Sequence, residues 1–511
     1  MDNMHNIHKR IINRPVITIA AIAVQITWVV VFVNKLSEYY FWATVALRLL
    51  SVAALIFIIN RRSNPAVKLA WAVPVLAFPL FGGIAYLLMG TKKPTKKMSK
   101  AITDEEKKNK AYVPDCENDL ELIKEKNEYV YGQMKYMRDM GFPVYKNTSA
   151  RYYPIGEEYF AALLEELKKA EKFIFMEYFI IAPGYMWESI LDILKQKAKD
   201  GVDVRLIYDD IGCIRTLPAH YYKRIRESGI KCMVFNPCHM VAPITVNNRD
   251  HRKIAAIDGN VAFTGGLNLA DEYINKKNRF GHWKDTGISL KGEGVWAYTM
   301  MFLNMWNAFE HTDKDISVFM PDKKAESDGY IAPYGDSPLD DEVFSENVYI
   351  NMINSAVKYV YICTPYLIVD SQTLTALCLA AKRGVDVRMI TPGIPDKKMV
   401  YKLTRSHYPE LIESGVKIYE YTPGFIHAKS FVADDKTAIV GTINLDYRSL
   451  YLHFECGCLF YESSIVNEVK KDFKATAAKS RLVELKVRKH KVSNIIEGAF
   501  YAILRLIAPL L

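Results

Sequence analysis

Two stretches of the chain place a histidine and a lysine two residues apart and then continue with the same spacing. The first, HRKIAAIDGNVAFTGGLN, carries His251, Lys253, Asp258, Gly265, Gly266 and Asn268; the second, HAKSFVADDKTAIVGTIN, carries His427, Lys429, Asp434, Gly441, Thr442 and Asn444. The residues after each lysine read as a strand, on which side chains two apart leave from one face. Each imidazole is therefore expected beside its ammonium group. The Gly turn then brings an amide, Asn268 or Asn444, towards the same spot, with Gly266 in the first copy and the Thr442 hydroxyl in the second. Imidazole, ammonium and amide, with no acidic pair among them, suit an oxyanion such as phosphate.

Two such sets facing one another can divide a displacement at phosphorus. One neutral ring attacks and becomes a phosphohistidine, while the other, protonated, donates to the leaving alkoxide and later takes the proton of the incoming hydroxyl. Neither step calls for a metal or other cofactor. The expected catalytic set is His251, Lys253, Asp258, His427, Lys429 and Asp434, with the two aspartates, an odd number of positions from their histidines, assigned to the turn. Carboxylates that fix the ring tautomers are expected at Asp285 and Glu455, 34 and 28 residues after the histidines. A single HxK on a strand is ordinary surface decoration, but two copies at the same spacing are not. Metal ligation is the competing use of paired histidines; lysines as nearest neighbours repel a cation, and no HExxH or cysteine cluster is present.

The elements that must position these residues are themselves duplicated. EKFIFMEYFI, a helical stretch and GVDVRLIYDD are echoed by VKYVYICTPYLI, a helical stretch and GVDVRMITPG; ESGIK at 227–231 returns as ESGVK at 413–417. Strand, helix, Gly turn and strand form the βαβ pattern of a parallel sheet covered by helices. Two copies imply an α/β fold of two lobes related by a pseudo-twofold axis, expected over 150–320 and 321–482, with one pocket between the histidines.

The paired HxKx4D motifs resemble those of the phospholipase D superfamily over about residues 150 to 465, and the resemblance implies covalent catalysis by the two histidines, with His251 attacking and His427 moving the proton. LAWAVPVLAFPLFGGIAYLLMG, YICTPYLIVD, INLDYRS and RLIAPLL are similar to segments of bacterial cardiolipin synthases. That similarity implies transfer of a phosphatidyl group between two phosphatidylglycerols with release of glycerol, and partners that are anionic membrane lipids, not nucleic acid. A water-using phosphodiesterase, a tethered nuclease and an inactive scaffold are the other readings. The intact doubled motif speaks against the scaffold, and the absence of interleaved basic and aromatic stripes against the nuclease.

Lys and Arg exceed Asp and Glu by 67 to 57, which suits any anionic partner. The eight cysteines form neither CxxC pairs nor a disulfide pattern and are read as buried thiols. Residues 1–90 are expected to form a membrane domain of two or three transmembrane helices, from Pro15 to Val33, Phe41 to Asn60 (interrupted by Arg48), and Ala66 to Met89 (bent by Pro74, Pro79 and the Gly82-Gly83 pair), the last read either as a full span or as a re-entrant hairpin. This departs from the two apolar segments of many relatives and predicts a multi-pass cell-membrane protein with cytoplasmic lobes. Residues 91–149, with Lys92, Lys93, Lys96 and Lys97, are expected as a charged linker and entry helix, and 483–511 as a basic amphipathic interface helix preceded by Lys486, Arg488, Lys489 and Lys491.

Overall fold

The computed structural model describes residue 27 and residues 41–90, 93–237, 247–485 and 492–510. The described residues divide into two compact units, a smaller one with residues 41–90 and 506–510, and a larger one containing both lobes.

In the smaller unit three helices, Phe41–Asn60, Pro65–Ala77 and Pro79–Met89, close around Ile58, Val67, Trp71, Val75 and Tyr86. The expected transmembrane helices are corrected here: among the described residues no helix is long and apolar enough to cross a membrane. The segment Ala66 to Met89 fails because Phe78 leaves helical geometry at φ −135°, ψ 75° and Pro79 starts a new helix. The resulting pieces of 13 and 11 residues span roughly 20 and 17 Å, against ~30 Å of hydrocarbon. The helix Phe41–Asn60 carries Arg48 within its apolar sequence. Residue 27 apart, residues 15–33 lie outside the described residues. The membrane-embedded, multi-pass placement built on these segments is withdrawn with them.

The first lobe has strands β1 Thr148–Tyr153, β2 Phe173–Tyr178, β3 Asp203–Asp209, β4 Lys231–Phe235, β5 Lys253–Ile257, β6 Val261–Gly265, β7 His282–Lys284 and β8 Gly287–Gly292. The second has β9 Tyr330–Asp336, β10 Tyr359–Cys363, β11 Asp386–Pro392, β12 Lys417–Tyr421, β13 Gly424–Ile426, β14 Ser430–Ala433, β15 Thr437–Gly441, β16 Glu455–Tyr461 and β17 Ser480–Leu482. Their sheets run β1-β8-β6-β5-β2-β3-β4 and β9-β16-β15-β14-β10-β11-β12-β17, the same order with one added edge strand. The duplication read from the sequence is thus a duplication of topology. The sheets are mixed, however: only β2-β3-β4 and β10-β11-β12, which include the GVDVR strands, are parallel, and the motif strands β5 and β14 pair antiparallel with β2 and β10. Gly201 and Gly384 open the two GVDVR copies at φ +88° and +92°, a left-handed turn that a Cβ would strain.

Ile254, Ala262 and Leu290 of the first sheet share one buried cluster with Val432, Val440 and Cys458 of the second, so the two sheets meet through an apolar layer. The charged stretch after residue 95 also joins the body: Lys96–Asn109 is a helix capped by Thr95, with Met98 and Ile102 one turn apart and buried. The seven cysteines among the described residues are all buried and unpaired. The carboxyl-terminal helix covers Val492–Ile507; Lys486, Arg488, Lys489 and Lys491 lie outside the described residues.

Candidate active site

Each motif histidine precedes its strand and is added to the opposite lobe. The His251 amide donates to the Phe454 carbonyl at 2.8 Å and the Phe454 amide to the Arg249 carbonyl at 2.9 Å. In the other copy the His427 amide donates to the Lys284 carbonyl at 2.7 Å, at the end of the parallel pair β7–β13. The residues after Phe454 and Lys284 are Glu455 and Asp285. Hence the carboxylates are exchanged between lobes: His251 Nδ1 lies 2.8 Å from Glu455 Oε1, and His427 Nδ1 lies 2.6 Å from Asp285 Oδ2. With Nδ1 so engaged, Nε2 of each ring is left to act on a substrate. Both carboxylates are fully buried and the two histidines nearly so.

Lys253 and Lys429 turn their ammonium groups back onto the carbonyls of His251 and His427 at 2.6 and 2.5 Å. Thr442 Oγ1 donates to Glu455 Oε2 at 2.5 Å and so holds the carboxylate. Gly266 makes room for the other one, since a Cβ there would stand 2.0 Å from Asp285 Oδ1. The two amides act on neighbours: Asn268 accepts from the Ile180 amide and donates to the Tyr273 hydroxyl, and Asn444 donates to Ser449 Oγ. Tyr273 in turn packs its ring 5.5 Å from that of His427.

Asp258 and Asp434, grouped with the catalytic residues by motif, face elsewhere. Asp258 accepts from the amides of Glu171, Lys172 and Phe173, and Asp434 from those of Val357, Lys358 and Tyr359. Each ties the end of its motif strand to the start of β2 or β10. Asp258→Ala should therefore lower the unfolding free energy by about 2–4 kcal/mol through loss of charge-assisted bonds, while turnover per folded molecule stays near wild type; active-site titration alongside denaturant unfolding checks this.

Several pocket residues escape motif reading. His453, two residues before Glu455, sits with its ring 5.6 Å from that of His251 and receives a hydrogen bond from Arg448 Nε at 3.3 Å. The period-2 rule that pairs His251 with Lys253 would have paired His453 with Glu455. Phe179 lies 4.9 Å from His251, and Trp283 5.5 Å from His427, ring to ring. These are long-range neighbours without a sequence signal.

Burial decides the charge states. It drives His251 well below the usual imidazole range, aided by Lys253 and Lys429, and takes His427 down to about 4 although Asp285 pulls upward. Both rings are neutral in the free pocket at pH 7. Burial also lowers Lys253 to about 8 and Lys429 to about 7. If these ammonium groups hold the phosphate, kcat/KM for a soluble phosphodiester should fall as pH rises through about 7 to 8, because the free enzyme loses first one and then the other cation. Lys429→Arg, which keeps its charge, should move that alkaline limb upward. A profile flat to high pH would contradict this role for the lysines.

Among the described residues one group offers metal-ligand atoms close together: His251, His453 and Glu455, within 4.8 Å of one another. It fits a cation poorly. The field of Lys253 and Lys429 that keeps His251 neutral opposes a divalent ion just as it opposes a proton, and His251 Nδ1 is already engaged by Glu455. Turnover should accordingly persist in excess chelator at constant substrate presentation; activity restored only by one particular metal would overturn this.

Duplicated mixed α/β lobes with two opposed HxK motifs over exchanged carboxylates place the chain in the phospholipase D superfamily. The family described as "Cardiolipin synthase, PLD-like domain" matches residues 163–279 and 349–477, and "Phospholipase_D-nuclease N-terminal" matches residues 49–90. The chain belongs to this superfamily and is kin to the bacterial cardiolipin synthases. It is 35% identical over 476 residues to cardiolipin synthase 2 of Bacillus cereus, covering 90% of this chain and 89% of that one. An uncharacterized protein of Streptococcus mutans serotype c is 45% identical over 464 residues, 90% of this chain and 100% of the relative. The crystal structure of phosphatidylserine synthase from Haemophilus influenzae Rd KW20 matches 75% of this chain and 100% of its own with TM-score 0.55 and 14% identity, which shows the fold alone. The chain thus carries the phosphotransfer or hydrolytic chemistry of its superfamily, centred on the histidine cluster.

Proposed function

We propose that the protein is a cardiolipin synthase, transferring the phosphatidyl group of one phosphatidylglycerol to the glycerol hydroxyl of another. The observation that carries this reading is the crossed pair of buried His–carboxylate units, in a chain that is similar over 90% of its length to a protein named cardiolipin synthase. His251, with Nδ1 held by Glu455, attacks phosphorus through Nε2. The phosphorus–oxygen bond to the departing glycerol breaks, and that alkoxide takes a proton from His427. The negative phosphodiester raises the proton affinity of His427 on entering, which supplies the acid that the free pocket lacks. In the second half, neutral His427 accepts the proton of the incoming glycerol hydroxyl as its oxygen attacks, and His251 is released. Lys253 and Lys429 balance the charge of the equatorial oxygens.

Phosphatidylglycerol in mixed detergent micelles, with the lipid and water-soluble products identified, tests the assignment. Cardiolipin with glycerol is expected. Phosphatidic acid with glycerol as the main products would replace transfer by hydrolysis.

A further inference from the structure

His453 is a buried titratable group beside the active site that the reaction described above leaves unused. Its side chain is 10% exposed, and its ring lies 5.6 Å from that of His251, with Phe179 against both. Arg448 anchors it twice: the His453 amide donates to the Arg448 carbonyl at 3.0 Å, and Arg448 Nε donates to His453 Nε2 at 3.3 Å. A guanidinium can only donate, so Nε2 is the acceptor and the ring proton sits on Nδ1. Burial keeps the ring neutral, taking it down to about 3, so this one tautomer holds at pH 7.

That Nδ1–H makes no hydrogen bond among the described residues. An unmade hydrogen bond at a buried position is costly, and one acceptor stands just beyond reach: Glu455 Oε1, 3.8 Å away. Glu455 already receives His251 Nδ1 at 2.8 Å on that oxygen and the Thr442 hydroxyl on the other, and Oε1 has a lone pair left for a further donor. At 3.8 Å no bond is formed in the free protein, and a shift of roughly 0.9 Å would form one. The half-sites differ at this point. The residue two before Asp285 is Trp283, whose indole donates but offers no ring nitrogen as acceptor by which a second residue could lock it.

We propose that His453 is a positioning residue for the second half of the reaction, donating its Nδ1–H to Glu455 Oε1 once His251 is bonded to phosphorus. The role rests on the covalent reaction proposed for His251. When Nε2 bonds to phosphorus the ring keeps its Nδ1 proton and becomes positive, and Glu455 competes for that proton. A donor on the carboxylate favours its charged form and leaves the proton on His251. Resolution then proceeds as the acceptor oxygen bonds to phosphorus and its proton passes to His427. The phosphorus–nitrogen bond breaks, its electron pair returns to Nε2, and His251 departs as neutral imidazole. With the Nδ1 proton lost to Glu455 the leaving group would be an imidazolate anion, a far poorer one.

Stopped-flow kinetics of the full chain with a bis(nitrophenyl) phosphodiester reads adduct formation as a burst and its resolution as the steady rate. In His453→Leu the burst rate is expected to stay within about threefold of wild type and the steady rate to fall roughly thirtyfold or more. His453→Asn, which keeps an N–H near the position of Nδ1, should restore the steady rate to within about threefold. Equal slowing of both phases, a change confined to KM, or a His453→Asn no faster than His453→Leu would overturn the role. A second measurement leaves position 453 intact. In the adduct that His427→Ala accumulates, the His453 Nδ1–H proton resonance should move downfield from its place in the free protein, and an unmoved resonance would overturn the role as well. Turnover with no adduct on either histidine would instead overturn the covalent reaction, and this role with it.

Discussion

His251→Ala and His427→Ala are each expected to lower turnover by roughly 10⁴- to 10⁶-fold, and the double variant to be little worse, because the two rings act as one unit. They should differ in what they can still do. His427→Ala retains the nucleophile over Glu455, so a phosphodiester with a good leaving group, needing no proton, should give a single burst of leaving group and then stall. His251→Ala removes the attacking nitrogen and should give no burst. Burial and the flanking lysines hold His251 in the neutral form that attack requires, while Asp285 draws His427 towards the protonated one. Stopped-flow release of a nitrophenol measures both variants; bursts of equal size would remove the distinction.

The second large effect is a crossed one. Asp285→Asn should cost about 10²- to 10⁴-fold in turnover by loosening the tautomer and orientation of His427, and Glu455→Gln should do the same through His251. Gly266→Ala should resemble Asp285→Asn, because the added methyl group would displace that carboxylate. Nitrogen-15 spectra of the imidazoles read the crossing directly: Asp285→Asn should alter the His427 ring and leave His251 nearly unchanged. A response of His251 instead would mean that each carboxylate serves its own lobe.

The crossing marks where sequence reading stops. The motif spacing, the repeat and the candidacy of Asp285 and Glu455 were all legible, because strand periodicity and duplication are local signals. Which carboxylate meets which ring was not, since it depends on His251 hydrogen-bonding to Phe454 and His427 to Lys284, contacts more than 140 residues apart in the chain. The mixed sheets were missed for a related reason: GVDVR and its preceding helix do form parallel units, but the motif strands join the edge of each unit by antiparallel pairing that no local pattern announces. Asn268 and Asn444 were placed by proximity along the chain, and the fold gives their amides to Tyr273 and Ser449. The apolar stretch before Met89 was expected to bend at its prolines, and the break at Phe78 and Pro79 divides it into two helices.

Covalent transfer through one histidine is the central claim, and rapid quenching of the wild-type protein with phosphatidylglycerol, followed by mass spectrometry of digests kept out of acid, addresses it most directly. A phosphatidyl adduct on the peptide containing His251, formed within one turnover and lost on addition of acceptor, is the expected result. An adduct on His427 would reverse the assignment, and turnover with no adduct at either histidine would contradict the covalent mechanism.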